Sequence, residues 1–377
     1  MAPLHVIERP VVDQLLEVLA ARGYTVIGPT VREKAIVYDE IASTKDMPVG
    51  LRDEQDGGHY RLLAREDQAL FGYAVGPQSW KQLQLPSSVV VWRAKLQPSG
   101  ELTEVEAPQE TKRYALIGAR SCELSAMSVL ERVLLGGRHP DPADRGRIED
   151  AFIVSVQCAQ AGGTCFCVSM KTGPVAKSGF DLALTEVIEA ERHYFVVEVG
   201  SQRGSDVLEE LPHSRATKDE AAAAGAVHEQ TAASMGRELD TTDIKDLLYR
   251  NYQAARWDEV ADRCLTCGNC TMVCPTCFCT TVEDVTDLTG EHVERTQSWD
   301  SCFTVDYSYI HGGAVRNSTR SRYRQWMTHK LATWFDQFGT SGCVGCGRCI
   351  TWCPVGIDIT EEVAAIRATE EAPHADN

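Results

Sequence analysis

Apolar and polar positions change period several times along the chain. From Val11 to Ala21, Leu15, Leu16, Val18 and Leu19 fall on one face of a 3.6-residue repeat and Gly23 follows as a stop, which predicts a helix. Short β-branched or aromatic runs at 25–27, 35–38, 89–92, 114–117, 152–156 and 194–199 are separated by Gly, Pro and Asp clusters, as strands are. Residues 121–135 return to helical period directly after a strand, with Leu124, Met127, Leu130 and Leu134 on one face. The alanines at 221–224, flanked by charges, read as a solvated helix or flexible linker. Ile244, Leu247 and Leu248 start an amphipathic helix leading to Trp257.

The length of 377 residues suggests two or three domains at about 150 residues each. No window reaches ~18 apolar residues, and Met1 to Pro10 lacks an apolar run, so neither a spanning helix nor a signal peptide is visible. The expected compartment is the cytoplasm, where 15 cysteines point to metal ligation rather than disulfides. A net charge of −17 argues against nucleic-acid binding.

The cysteines divide the chain. None precedes Cys122, four lie between Cys122 and Cys167, and eleven fall between Cys264 and Cys353. The expected organisation is a mixed α/β domain over 1–205, a helical connector over 206–255, a cysteine-dense helical domain over 256–362 and a frayed acidic tail over 363–377.

Cys264, Cys267, Cys270 and Cys274, then Cys343, Cys346, Cys349 and Cys353, each form a CxxCxxCxxxCP run, the pattern of bacterial two-cluster ferredoxins. Three thiolates on a curled loop cap three corners of a [4Fe–4S] cube, and the fourth leaves the loop to reach the neighbouring cube. By that swap Cys264, Cys267, Cys270 and Cys353 hold one cluster; Cys343, Cys346, Cys349 and Cys274 hold the other. Zinc sites also use CxxC pairs but do not need the longer run. Gly268, Gly345 and Gly347 are expected to let the backbone wrap close to the clusters.

A long insertion between Cys274 and Cys343 holds Cys277, Cys279 and Cys302, which read as buried structural thiols, ligands to a further metal, or redox-active thiols. Cys122, Cys158, Cys165 and Cys167 sit at strand ends and in a loop, where elements of an α/β sheet can converge. Their spacing alone leaves a third [4Fe–4S] cluster, zinc and unligated thiols open.

No dinucleotide-binding or P-loop glycine motif, nucleophile elbow or HExxH is present, and no catalytic residue is assigned. Arg316, Arg320, Arg322, Arg324 and Lys330, interleaved with Tyr323 and Trp326, form a basic run suited to docking an acidic partner or balancing cluster charge.

The motifs GARSCEL at 118–124, GTCFC at 163–167, TGP at 172–174 with GFDL at 179–182, the cysteine run at 264–279, WDSC at 299–302 and the run at 342–357 together resemble a known family. It is the iron–sulfur beta subunit of cytoplasmic NAD(P)-linked nickel–iron hydrogenases, the sulfhydrogenases; an iron–sulfur component of anaerobic sulfite reductase is similar. Ser121 stands where that family more often has proline. The resemblance implies a third cluster at Cys122, Cys158, Cys165 and Cys167. It also implies an electron relay, not catalytic alone, with a hydrogenase small subunit on one side and a flavin/NAD(P)-binding subunit on the other. The alternatives are a relay serving sulfite or polysulfide reduction and a non-enzymatic iron–sulfur redox sensor.

Overall fold

Phe152–Val156 is buried at all five positions, a pattern that requires cover on both faces of a sheet. The structure is a computed structural model describing residues 3–74, 76–105, 112–137 and 150–371. It places this strand near the middle of an eight-stranded sheet. Four adjacent strands run parallel: Tyr24–Arg32, Arg113–Ala119, Phe152–Val156 and Leu182–Ile188. Ala35–Glu40 closes one side antiparallel, and His193–Val199, His5–Glu8 and Ser214–Arg215 close the other.

The pleat sorts side chains to two cores. Ala115, Ile117, Phe152, Val154 and Val156 meet Leu15, Leu16 and Leu19 of helix Val11–Ala21. Leu116 and Ile153 point the other way, toward Leu124 and Met127 of helix Ser121–Leu134 and toward Trp80. A further core joins Trp257, Tyr323, Trp326, Met327, Leu331 and Ile350 in the cysteine-dense region.

Several expectations are revised. The helix expected to run from Ile244 to Trp257 is two helices, Ile244–Arg250 and Arg256–Arg263. The alanine stretch is part of helix Lys218–Ala233, whose Ala224 packs on Val6, Val187, Tyr194 and Val196 of the sheet. Ser214–Arg215 pairs with the sheet, and Ile244, Leu247 and Leu248 enter the cysteine-region core, so residues 206–255 are packed into both halves. Ser88–Leu96 leaves the α/β sheet and pairs antiparallel with His292–Trp299, in a four-stranded sheet completed by Thr280–Thr286 and Leu102–Val105. Part of the long insertion is thus a hairpin added to N-terminal strands. Helix Ile359–Glu371 continues through the start of the expected tail, with Val363 and Ile366 buried; residues 372–377 lie outside the described residues. No described helix is long and apolar enough to cross a membrane.

A buried ion pair fastens the two halves. Arg348, inside the second ferredoxin run, meets Glu123 on helix Ser121–Leu134 at 2.6 Å, with both side chains 1% exposed. Glu123 also accepts from the Tyr38 hydroxyl at 2.8 Å and the Arg120 backbone N–H at 3.1 Å. Arg348 Nε donates to the carbonyls of Gly76 and Gln78 at 2.9 and 3.1 Å.

Replacing Leu15 by Ala removes a fully buried side chain and is expected to lower stability by about 2–5 kcal/mol, read as a shifted urea midpoint. Glu123→Ala strands Arg348 in the interior and is expected to cost about 3–5 kcal/mol in the same measurement.

Candidate metal centres

All 15 cysteines lie in described segments, and none forms a disulfide. The two ferredoxin runs are built alike. In the first, Thr266 N–H donates to Cys264 Sγ at 3.4 Å, Gly268 takes a left-handed conformation, and a short helix Asn269–Met272 carries Cys270. In the second, Gly345 N–H donates to Cys343 Sγ at 3.4 Å, Gly347 is left-handed, and helix Arg348–Thr351 carries Cys349. The backbone N–H groups favour anionic sulfur.

Gly345 and Gly347 serve a purpose beyond loop curvature. A Cβ on Gly345 would lie 2.6 Å from the Phe166 carbonyl oxygen, and one on Gly347 2.4 Å from that of Thr164. The close approach is to the upstream cysteine loop, whose Phe166 N–H donates to the Gly345 carbonyl at 2.8 Å. These glycines bring the upstream cysteines against the second run.

Cys264, Cys267, Cys270 and Cys353 line one cavity. Tyr323 and Trp326 line it too, and the Tyr323 hydroxyl and the Trp326 indole N–H are buried without a protein partner. Cys122, Cys158, Cys165 and Cys167 line a second cavity. Cys122 comes from the helix after strand Arg113–Ala119 and Cys158 from the end of the adjacent parallel strand, the carboxyl edge where α/β sheets gather sites. Arg120, fully buried beside Cys158, supplies positive charge there.

The remaining set lies between them. Cys349 lines the first cavity and Cys346 the second. Cys343 feels the charges of Cys346 and Cys274. The three sets therefore run in a row: the upstream set, the Cys343 set with Cys274, then the Cys264 set with Cys353. The middle set is mostly buried and the upstream set half buried, half intermediate, whereas Cys267 is exposed beside exposed Leu265 and Val355.

Burial pushes the Cys122, Cys165, Cys270 and Cys349 thiols well above the ordinary range, and those of Cys167 and Cys343 up to about 12. Bare thiols in such places stay neutral; a bound cation of high charge deprotonates them outright. Thiols lining both pockets, with unpaired buried donors at one of them, are of the chemistry that iron–sulfur clusters use, although among the described residues no three candidate ligands stand in a closed metal-binding arrangement. Cys274 goes the other way. Hydrogen bonding with Cys277, and next the Lys330 ammonium, hold its thiol well below the usual range against the cost of burial.

The three leftover cysteines gather near Cys274. Cys277 is hydrogen-bonded to Cys274, and Cys279 to Cys302 and the Tyr307 hydroxyl. The Asp300 N–H donates to the Cys279 carbonyl at 2.9 Å, which sets the strand ends holding this pair.

The basic run is not a free patch. Arg322 is buried and donates to the Arg316 and Asn317 carbonyls, and Arg324 lies over the Tyr252 ring. Arg320 pairs with Asp258. Lys330 is buried with Nζ 3.1 Å from Cys274 Sγ. Sequence spacing could not reveal that contact, which joins residues on different elements. Arg348 and Glu123 also carried no signal apart from their place beside cysteines.

Residues 263–357 match the 4Fe-4S dicluster domain family. The chain is 32% identical over 270 residues to sulfhydrogenase 2 subunit beta of Pyrococcus furiosus, an alignment covering 71% of this chain and 77% of that protein. Identity at that level over most of both proteins, together with the dicluster domain, makes this chain a member of the sulfhydrogenase beta-subunit family.

Proposed function

We propose that this chain is the iron–sulfur electron-transfer subunit of a multi-subunit hydrogenase complex, placed between a nickel–iron hydrogenase module and a flavin/NAD(P) reductase module. The observation that carries this reading is the row of three thiol sets, in which Cys346 and Cys349 of the middle set border the cavities on either side.

Cys264, Cys267, Cys270 and Cys353 would hold one [4Fe–4S] cluster, and Cys343, Cys346, Cys349 and Cys274 the next. Cys122, Cys158, Cys165 and Cys167 would hold a third. Clusters of this kind, when bound, supply one-electron transfer. The protein's own contribution is placement. The four thiolates of each set would occupy every iron corner and leave no open coordination site, which suits relay rather than substrate chemistry. Gly345 and Gly347 allow the upstream loop to approach the middle set at backbone distance. The Glu123–Arg348 pair fixes the same contact from the side. Burial of the middle set excludes water, while exposed Cys267, Leu265 and Val355 leave the Cys264 set accessible to a redox partner.

Three measurements test this. The purified chain should contain about twelve iron and twelve acid-labile sulfide, and near-zero iron with stoichiometric zinc would overturn the reading. Proteins that co-purify decide the pathway: a nickel-bearing subunit supports it, and a sirohaem subunit without nickel assigns the relay to sulfite reduction instead. Cys158→Ser in the purified chain should lose about four iron and keep about eight, because the ferredoxin runs do not depend on Cys158. Unchanged iron would remove the third cluster from the proposal.

A further inference from the structure

Lys330 is 4% exposed and has no carboxylate partner among the described residues. Its ammonium has three protons, and the structure supplies three acceptors: Cys274 Sγ at 3.1 Å, Thr276 Oγ1 at 3.2 Å and the Gly342 carbonyl at 3.0 Å. Thr276 donates its own hydroxyl proton to the Gly342 carbonyl at 2.6 Å, which leaves its lone pairs for Lys330. The donor set is complete and the head group is fixed.

The backbone reinforces this position. Lys330 sits in a π-helical turn, His329–Thr333, between helices Thr319–Thr328 and Trp334–Phe338. Such turns are rare and concentrate at functional positions. The Lys330 carbonyl accepts from Gly342 N–H at 2.8 Å, so Gly342, at the entry to the second ferredoxin run, is tied to Lys330 through both its N–H and its carbonyl.

The other buried cations nearby are differently placed. Arg348 has Glu123 as a counter-charge, and Arg120 lies within the field of the same carboxylate. Lys81 Nζ donates to the carbonyls of Cys277 and Met272 and lies 3.9 Å from the centre of the Trp299 ring. Among these four cations, Lys330 is the one that combines a direct hydrogen bond to a sulfur of the middle set with no neutralising carboxylate.

We propose that Lys330 is a positioning residue that raises the reduction potential of the middle cluster by a charged hydrogen bond to the Cys274 thiolate. This rests on the cluster assignment made above. Reduction adds one electron to the cluster and its ligand sulfurs. A fixed cation on one of those sulfurs in a low-dielectric interior stabilises the reduced form more than the oxidised one. The inference also gives the row a profile. The middle site is held easier to reduce than its sulfur ligands alone would make it.

The test is an EPR-monitored redox titration of the intact complex carrying K330Q or K330R. Gln keeps a hydrogen-bond donor without charge, and Arg keeps the charge. K330Q is expected to disfavour reduction of one cluster at least tenfold, about 59 mV toward more negative potential for a one-electron couple, while the other two stay in place. K330R should restore most of the shift. Three unchanged potentials in a fully loaded K330Q protein, or an equal shift in K330Q and K330R, would overturn the inference. Absence of iron from the wild-type complex would instead overturn the functional reading. Should K330Q fail to load the middle cluster, wild-type complex labelled with 15N-lysine decides the matter. A lysine nitrogen hyperfine-coupled to one reduced cluster supports the assignment, and no such coupling to any cluster overturns it.

Discussion

The buried pairing of Arg348 with Glu123 is the interaction on which the remaining geometry depends. Each residue sits beside cysteines of the sets: Glu123 follows Cys122, and Arg348 lies between Cys346 and Cys349. Two charges out of water at 2.6 Å are tolerable only when the remaining donors and acceptors are also engaged. Tyr38, the Arg120 backbone and the carbonyls of Gly76 and Gln78 meet that demand. The pair therefore acts as a gauge. If the second ferredoxin run slid along helix Ser121–Leu134, a buried charge would lose its partner, and the separation of the middle and upstream sets would change with it.

Around this gauge the chain separates two tasks. The parallel sheet supplies rigid strand ends that present Cys122 and Cys158. The ferredoxin runs supply two short loops of nearly identical construction that present eight further thiols. What joins them is backbone contact, permitted by glycine at 345 and 347, together with a small buried cluster of Cys122, Ala126, Cys167, Val344 and Cys346. An apolar wall would bury the thiols as effectively, but it would not bring the second loop to the cysteine edge of the sheet at hydrogen-bonding distance. The hairpin of Leu51–Asp56 and His59–Ala64 does similar work at the far end. Its Gly58 N–H donates to the Ile350 carbonyl at 3.1 Å, and its Gln55 side chain accepts from Thr351 at 2.8 Å.

Much of this is legible in the chain. Helix Val11–Ala21 and strand Phe152–Val156 have the expected bounds because each has a strongly apolar pattern, in the strand interrupted only by Ser155. The paired runs are legible because ligand spacing is local. Leu182–Ile188 escapes such a reading because Thr185 and Glu186 interrupt its pattern; Glu186 is buried all the same, accepting from the Leu70 and Phe71 N–H groups and meeting His193 at 2.8 Å. Thr280–Thr286 escapes it because it is an edge strand exposed on most of its length and shows no alternation. The contact of Lys330 with Cys274 is illegible for a different reason. It depends on where two elements pack, and spacing alone makes the lysine one member of a surface basic run.

The pairing of Ser88–Leu96 with His292–Trp299 sets the order of events at biosynthesis. A ribosome releases the first strand long before its partner, so that edge waits unpaired while the central part of the chain is made. Contacts of such separation form late and leave strand edges open to misassembly in the interval. On the proposed ligand assignment the two ferredoxin runs inherit this schedule, because Cys274 and Cys353 would each be supplied to a site whose other ligands lie in the opposite run. Maturation of the middle and outer centres would then be a post-translational event. Their iron could be delivered in full only to a chain already completed through Cys353, so a truncated product would lack a working wire.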